Sequence, residues 1–416
     1  MAIRTSPPPS PPRPAPRPAP TPEPAVSKPA PAPAPAPAKE STAPTKSEAQ
    51  EAIRPPVKPL PKPHDRTLGH GKEHGMVPLK FPDPSKIKSF DDLTNFMGET
   101  TAAGRDLGKA VEVFKAMIAD KKCFRVITLS GNVTPLNRLV AELIDRKIIN
   151  AVVSTGSICT HSFSVERGRP MFKIDDPDAV DDNWMYAKGY NRIYDCIELE
   201  DSLNEGFDIL REITDSLDPA KPVASADITR MLGEHLNENF PKEDGLLHAA
   251  ARNDIPIFIP SFSDCEIGLD FYAQNVLREK EGSERVMFDA FEDWQQYADL
   301  IKAHKDSCGI LTLGGGAPRN WAQQVGPSFD ILTEYGAEPK ELLMRFKYGI
   351  RICDASPANA GLSGCSYNEG RSWGKFWPEK EEVGEGDGPF GMNAEIIGDY
   401  TLALPILVAA VLEGTK

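Results

Sequence analysis

Five short apolar runs, each closed by a tip of small polar residues, constrain the folded part of this chain more than any other feature. "FRVITL" (124–129) leads into "SGNVTP", and "NAVV" (150–153) into "STGSICTH". "IPIFI" (255–259) leads into "PSFSDCEIG", "GILTL" (309–313) into "GGGAPRNW", and "YGIRIC" (348–353) into "DASPANAGLSGCS". Strands that are apolar throughout are buried on both faces, which is the habit of parallel sheets. Between them the apolar residues fall at helical spacing, as with Val111, Phe114, Met117 and Ile118 in "GKAVEVFKAMIADKK" and again in "PLNRLVAELIDRK". Further helices are expected over 203–217, 224–238, 287–305, 319–326 and 401–413. Buried strands alternating with amphipathic helices predict an α/β fold with a doubly wound, mostly parallel sheet.

The N-terminal segment is of another kind. Of the 40 prolines, 22 lie in residues 1–63, in runs such as "KPAPAPAPAPAKE". Such a segment has too little apolar surface to offset its ordering entropy, so disorder or extended polyproline II is expected there. Residues 64–84 read as a polar linker. His70 and His74 stand four apart, but Gly69, Gly71 and Gly75 argue against the helix that would pair them on a metal. Residues 85–416 are the folded domain. Residues 1–63 carry nine Lys/Arg and four Asp/Glu, a net of +5; the whole chain is −14, so the remainder is −19. An acidic body argues against nucleic acid as a main partner and suits a cationic ligand. The seven cysteines are scattered, with no CxxC pair and no zinc spacing, as expected of thiols in a reducing compartment. "TLALPILVAAVL" is too short to span a bilayer and contains Pro405. The first residues lack an apolar signal core, so a cytoplasmic protein is expected.

In an open parallel sheet, ligands bind beyond the carboxyl ends of the strands. Five tips of Gly, Ser, Thr, Asn and Asp there suit a large ligand bearing phosphates. The triple glycine of "LTLGGGAPRN" reads either as a phosphate cradle opening a helix or as a tight turn. Asp264 reads as a partner for a ribose hydroxyl or an ammonium, or as a helix cap. His161, in a strand-end tip, reads as a structural or a site histidine. "SYNEGRSWGK" (366–375) reads as a polar loop ending in Lys375. A free lysine titrates near 10.4 and is a poor nucleophile at neutral pH. Desolvation beside Trp373, Phe376 and Trp377 would favour its neutral amine, which can form an imine. The other reading is a surface lysine in a Gly-rich loop.

"AGLSGCSYNEGRSWGK" closely resembles the active-site segment of the deoxyhypusine synthase family, whose catalytic lysine ends a Glu-x-x-Ser-Trp-Gly-Lys motif. Here those residues are Glu369, Ser372, Trp373, Gly374 and Lys375. The resemblance runs in order over about residues 85 to 412, through "VVSTGSICTH", "IPSFSDCEIG", "LTLGGGAPRN" and "GDYTLALPIL". It implies a Rossmann-like, NAD-binding fold and aminobutyl transfer from spermidine. A hydride would leave the carbon beside the secondary amine for NAD. Lys375 would attack the resulting imine and release 1,3-diaminopropane. The four-carbon imine would pass to an acceptor amine and be reduced by the returned hydride. The resemblance assigns Ser130, Gly131, Asn132, Thr155, Gly156, Asp264, Gly315, Asp354, Ala355 and Asp399 to NAD. It assigns Glu369, Trp373, Ser372 and the Gly361, Ser363, Gly364 loop to the polyamine, with His161 as a further substrate contact. It also implies a homotetramer with sites at dimer interfaces.

The sequence departs from the family pattern in places. Thr160 and His161 stand where the eukaryotic enzymes have paired glutamates. A substrate-binding histidine is replaced near Asn320 or Trp321. Leu269 replaces an aspartate, with Asp270 adjacent. These changes resemble the bacterial, deoxyhypusine-synthase-like branch and favour a small acceptor such as putrescine, giving homospermidine, over a protein lysine. The insertion "EKEEVGEGDGPFGMN" reads as a surface loop or as a reshaped, acidic site mouth. Two further readings are a pyridoxal phosphate enzyme with Lys375 as its Schiff base, and a non-catalytic NAD- or polyamine-binding protein.

Overall fold

The computed structural model describes residues 62–131, 134–359, 361–380 and 389–413. Asn132, nearly all of the proline-rich segment and the centre of the insertion lie outside the described residues. The chain divides into two units, Met1–Met76 and Val77–Lys416. In the first, the described part holds two single 3-10 turns, Pro63–Asp65 and Lys72–His74.

The second unit is built on a six-stranded sheet. Five of its strands come from the apolar runs: β1 (Phe124–Leu129), β2 (Ala151–Ser154), β6 (Ile257–Phe258), β7 (Cys308–Leu313) and β8 (Tyr348–Cys353). The sixth, β9 (Met392–Ile397), was not anticipated. Its outer residues Met392 and Ile397 are exposed and Glu395 is only part-buried, so it carries no continuous apolar run. That is the composition of an edge strand. The order is β6-β2-β1-β7-β8-β9, with every neighbouring pair parallel.

Alternate residues of these strands enter two separate cores. Ile127, Leu129, Leu313 and Ile352 pack on one face with Phe114 and Met117 of the helix Ala102–Ala119 and Leu404 and Leu407 of the helix Tyr400–Glu413. Val126, Val153, Phe258 and Ile310 pack on the other with Tyr297, Ala322 and Phe329. The sheet is therefore covered on both sides, as the doubly wound expectation requires. The expected helices are present as Glu200–Ser216, Ser225–Asn239, Ala290–Ala303, Gly316–Gln323 and Tyr400–Glu413.

Besides β9, further elements were not anticipated, among them the helices Phe90–Gly98, Gly156–Val165, Leu246–Arg252 and Glu266–Lys280. A small antiparallel sheet, order β3-β5-β4, is formed by β3 (Phe172–Lys173), β4 (Tyr190–Ile193) and β5 (Cys196–Leu199). The segment expected as a polar loop contains a short helix, Tyr367–Ser372, whose start is capped by Ser366 Oγ accepting the Glu369 N–H at 3.2 Å. Beyond it, the insertion closes on itself at its base. Glu379 and Gly391 pair as a parallel bridge, and the Gly391 N–H donates to the Pro378 carbonyl at 2.8 Å.

Candidate active site

From β1 the chain moves outward through β2 to β6, then returns to β7 on the other side of β1 and moves outward again through β8 to β9. The reversal lies between β1 and β7, where a doubly wound sheet opens a crevice. Ser130 joins the two strand ends. Its Oγ accepts the Gly315 N–H at 2.8 Å and donates to the Leu313 carbonyl at 3.2 Å. Gly314, with φ +76°, lies so close that a Cβ there would fall 2.4 Å from Ser130 Oγ. A Cβ on Gly131, with φ +80°, would fall 2.7 Å from the Tyr400 hydroxyl. Burial pushes that hydroxyl up to about 12, with Asp399 and Asp354 adding to the effect. Gly131, Asp354, Asp399 and Tyr400 thus gather at one end of the crevice, and Tyr400 is a residue the sequence reading missed.

The remaining crevice residues are placed by packing. Asp399 accepts from Thr401 N–H at 2.7 Å and so opens the final helix. Thr155 precedes the helix Gly156–Val165, and a Cβ on Gly156 would fall 2.1 Å from Cys265 Sγ. The β2 and β6 tips are in contact through that glycine. Asp264 is exposed on the β6 tip, and Ala355 follows β8 with its N–H directed at Cys353 Sγ, 3.5 Å away.

Lys375 lies in a cleft of about 410 Å³ walled by Gly361, Cys365, Glu369 and Trp373 of the segment that follows β8 and by Asn320 of the helix that follows β7. Its backbone is fixed on both sides. The N–H donates to the Gly370 carbonyl, which closes the short helix, and the carbonyl accepts the Phe346 N–H at 2.9 Å. The side chain is 6 % exposed, and Nζ donates to Asn320 Oδ1 at 2.8 Å. Burial pulls the amine below the ordinary lysine range; Cys365 and Glu369 oppose this, and Arg319 adds to it. The desolvating wall differs from the expected one. Phe376 is buried against Phe346 and Tyr367, whereas Trp373 is 65 % exposed and stands at the cleft mouth.

Gly374 has φ +70°, and a Cβ on it would fall 3.0 Å from Arg345 Nη2 and 3.1 Å from Asp330 Oδ2. Its role in the motif is this turn. Ser363 and Gly364 form the wall's backing: a Cβ on Gly364 would meet the Ser356 carbonyl at 2.4 Å. Ser372 is exposed, its Oγ donating to the Glu369 carbonyl at 2.6 Å.

A protein-family model described as deoxyhypusine synthase matches residues 92–411. The chain belongs to the deoxyhypusine synthase family. It is 28% identical over 334 residues to a deoxyhypusine synthase-like protein of Elusimicrobium minutum, covering 80% of this chain and 82% of the relative. A deoxyhypusine synthase-like protein of Coxiella burnetii is 27% identical over 329 residues, covering 78% and 86%. Among solved structures, one assigned as a deoxyhypusine synthase of Entamoeba histolytica superposes with a TM-score of 0.51 at 16% identity, covering 81% of this chain and 98% of that one. At that identity the likeness speaks for the fold.

Against the deoxyhypusine synthase motif, the structure sorts the departing positions. Asn320, not Trp321, faces the lysine. Trp321 packs among Phe258, Trp294 and Tyr297 in the core. His161 does not line the Lys375 cleft. It lies after β2, separated from β8 by β1 and β7, and its Nδ1 is 2.6 Å from Glu198 Oε2. Glu198 comes from β5, the strand the sequence did not announce, and is 1 % exposed. Asp270 lies beside Thr160 and Glu266 around a small hollow. Burial, then the Glu266 carboxylate, pushes Asp270 up to about 7.

Proposed function

We propose that this protein transfers the aminobutyl group of spermidine, through an imine on Lys375, to an acceptor amine. The observation that carries the reading is a buried lysine amine, held by a neutral amide and pulled toward its uncharged form, in a cleft walled by the segment that follows β8. Asn320 directs the Nζ lone pair by accepting one of its protons. Glu369, exposed at the cleft wall, supplies a carboxylate for a substrate ammonium, and Trp373 an apolar face for its methylenes.

The proposed cofactor is NAD, which when bound accepts a hydride from the carbon beside the secondary amine and later returns it. The crevice residues fit such a group. Gly131, Gly314 and Gly315 pack so closely on Tyr400, Ser130 and Ser363 that a side chain at any of them would force the strand-end tips apart, and the helix Gly316–Gln323 opens there. Ser130, Thr155, Gly156, Asp264, Asp354, Ala355 and Asp399 are the residues proposed to hold it, with Asn132. Lys375 attacks the substrate imine carbon, and the amine it displaces leaves as 1,3-diaminopropane. The acceptor amine then displaces Lys375, and reduction completes a secondary amine. Putrescine or another small amine is the favoured acceptor, ahead of a protein lysine, on the strength of Thr160, His161 and Asn320.

The same reading places the enzyme in the cytoplasm as a homotetramer with sites at dimer interfaces. All seven cysteines are free thiols, and no helix among the described residues is long and apolar enough to cross a membrane. The separation of His161 from Lys375 within one chain supports a second copy bringing them together. The test is incubation with NAD and labelled spermidine, with and without putrescine. Release of 1,3-diaminopropane that disappears in Lys375→Ala is expected, and homospermidine would identify the acceptor. Spermidine left intact by wild type across a range of acceptors would overturn the proposal.

A further inference from the structure

The segment leading to Lys375 is held from beneath by buried charge. Thr128, Thr312, Arg351 and Glu395 stand in register across β1, β7, β8 and β9. Arg351 is fully buried; its Nη2 donates to Glu395 Oε2 at 2.6 Å and its Nη1 to the Ser363 carbonyl at 2.7 Å. The other oxygen of Glu395 accepts the Tyr367 N–H at 2.6 Å, at the first residue of the short helix. Arg319, 2 % exposed, reaches the same segment from the helix Gly316–Gln323. It donates to the carbonyls of Cys365 at 2.6 Å, Ser363 at 3.3 Å and Leu362 at 3.5 Å. The Ser363 carbonyl is shared by both guanidinium groups.

Two buried cations meet one carboxylate here, and none of these Arg319 bonds goes to a carboxylate. A buried cation without a carboxylate partner is a costly way to hold a loop that a neutral donor could hold. We infer that Arg319, backed by the Arg351–Glu395 pair, is a positioning residue for Lys375, fixing the Leu362–Tyr367 segment and setting a permanent positive charge at the floor of the lysine cleft. This rests on Lys375 being the nucleophile. An arginine stays charged at any working pH, so its field disfavours a second cation on Lys375. The next residue on the same helix, Asn320, holds the amine that the charge acts on. The other groups facing Lys375 are Cys365 from the turn, Glu369 from the short helix, and the Arg345–Asp330 ion pair packed against Gly374. Glu369 and Cys365 work against Arg319, and the ion pair is internally balanced.

The test reads Lys375 itself, in the full-length protein, without spermidine or dinucleotide. An amine-selective acylating reagent is applied across a pH series, and the Lys375 peptide is quantified by mass spectrometry. Arg319→Gln is expected to move the profile to higher pH, with a several-fold drop in labelling near neutrality. Arg319→Lys, which keeps the charge, is expected to restore the wild-type position. Glu369→Gln is expected to move the profile the other way. A folded Arg319→Gln protein with the wild-type profile would overturn the inference, as would Arg319→Lys shifting as far as Arg319→Gln. Arg319→Met carries the same comparison if the glutamine variant does not fold. An inert enzyme with an Arg319-dependent profile would refute the transferase reading alone; an active enzyme with an Arg319-independent profile would refute this inference alone.

Discussion

Lys375 Nζ and Asn320 Oδ1 are joined by a 2.8 Å hydrogen bond, and the acceptor carries no charge. An amide orients the amine while adding no counter-charge; a carboxylate in the same place would add one and favour the ammonium form. Asn320→Asp should therefore raise the lysine's pKa and suppress transfer at neutral pH by at least about tenfold, each pKa unit being a factor of ten. Activity should recover as the pH is raised. The rate of 1,3-diaminopropane release against pH checks this, and an unmoved alkaline profile would sink it.

Gly374 turns the chain with a positive φ and has the Arg345–Asp330 pair against it. Gly374→Ala should cost about 1–2 kcal/mol from the left-handed backbone alone. It should also displace Lys375 and lower turnover more than it lowers the melting temperature. Calorimetry and turnover measured together decide this. A variant as stable and as active as wild type would show that the loop accommodates a side chain.

Ser130 spans the reversal between β1 and β7 through Gly315 and Leu313. Ser130→Ala should destabilise the fold by about 1 kcal/mol, the usual net worth of a hydrogen bond. It should also weaken NAD binding, because the Gly315 cradle loses its brace. Calorimetric titration with NAD is the check, and an unchanged affinity would remove Ser130 from the cofactor site.

Asp270 titrates at about 7, well above the free carboxyl value of 3.8. The folded state thus holds the proton more tightly than the unfolded state. Stability should be greatest below pH 4 from this group and fall as the pH rises toward 7, remaining reduced above it. Asp270→Asn should raise the melting temperature at pH 8 and have little effect at pH 4. Equal effects at both values would show that the carboxyl is not perturbed.

Much of this architecture is legible in the chain because burial on both faces leaves an unmistakable mark. β1, β2, β7 and β8 are apolar runs ended by small residues, and their tips fall where the crevice opens. β9 left no such mark: an edge strand has one neighbour, and Glu395 is recruited to hold Arg351 instead of filling a core. The helix Tyr367–Ser372 is six residues long, too short for periodicity to show, and depends on its Ser366 cap. Lys375 was found by its motif, since its chemistry alone favoured a surface lysine in a Gly-rich loop. Arg319 and Arg351 gave no signal, because a buried arginine is recognisable only by the carbonyls it meets. Glu198 was silent for the same reason: its partner His161 lies 37 residues away.

The closed base of the insertion has a consequence for how this protein can change. Gly391 bonds to the Pro378 carbonyl and pairs with Glu379, so the two ends of the insertion are tied together. Residues added or removed between those two positions alter only the size of a loop whose ends are already tied. The entropy of closing such a loop grows slowly, by about 0.6 kcal/mol per doubling of its length. The register of β9, and with it Glu395 and the floor of the lysine cleft, is insulated from that change. The insertion can thus be lengthened, shortened or recharged by descent, with the nucleophile held where it is.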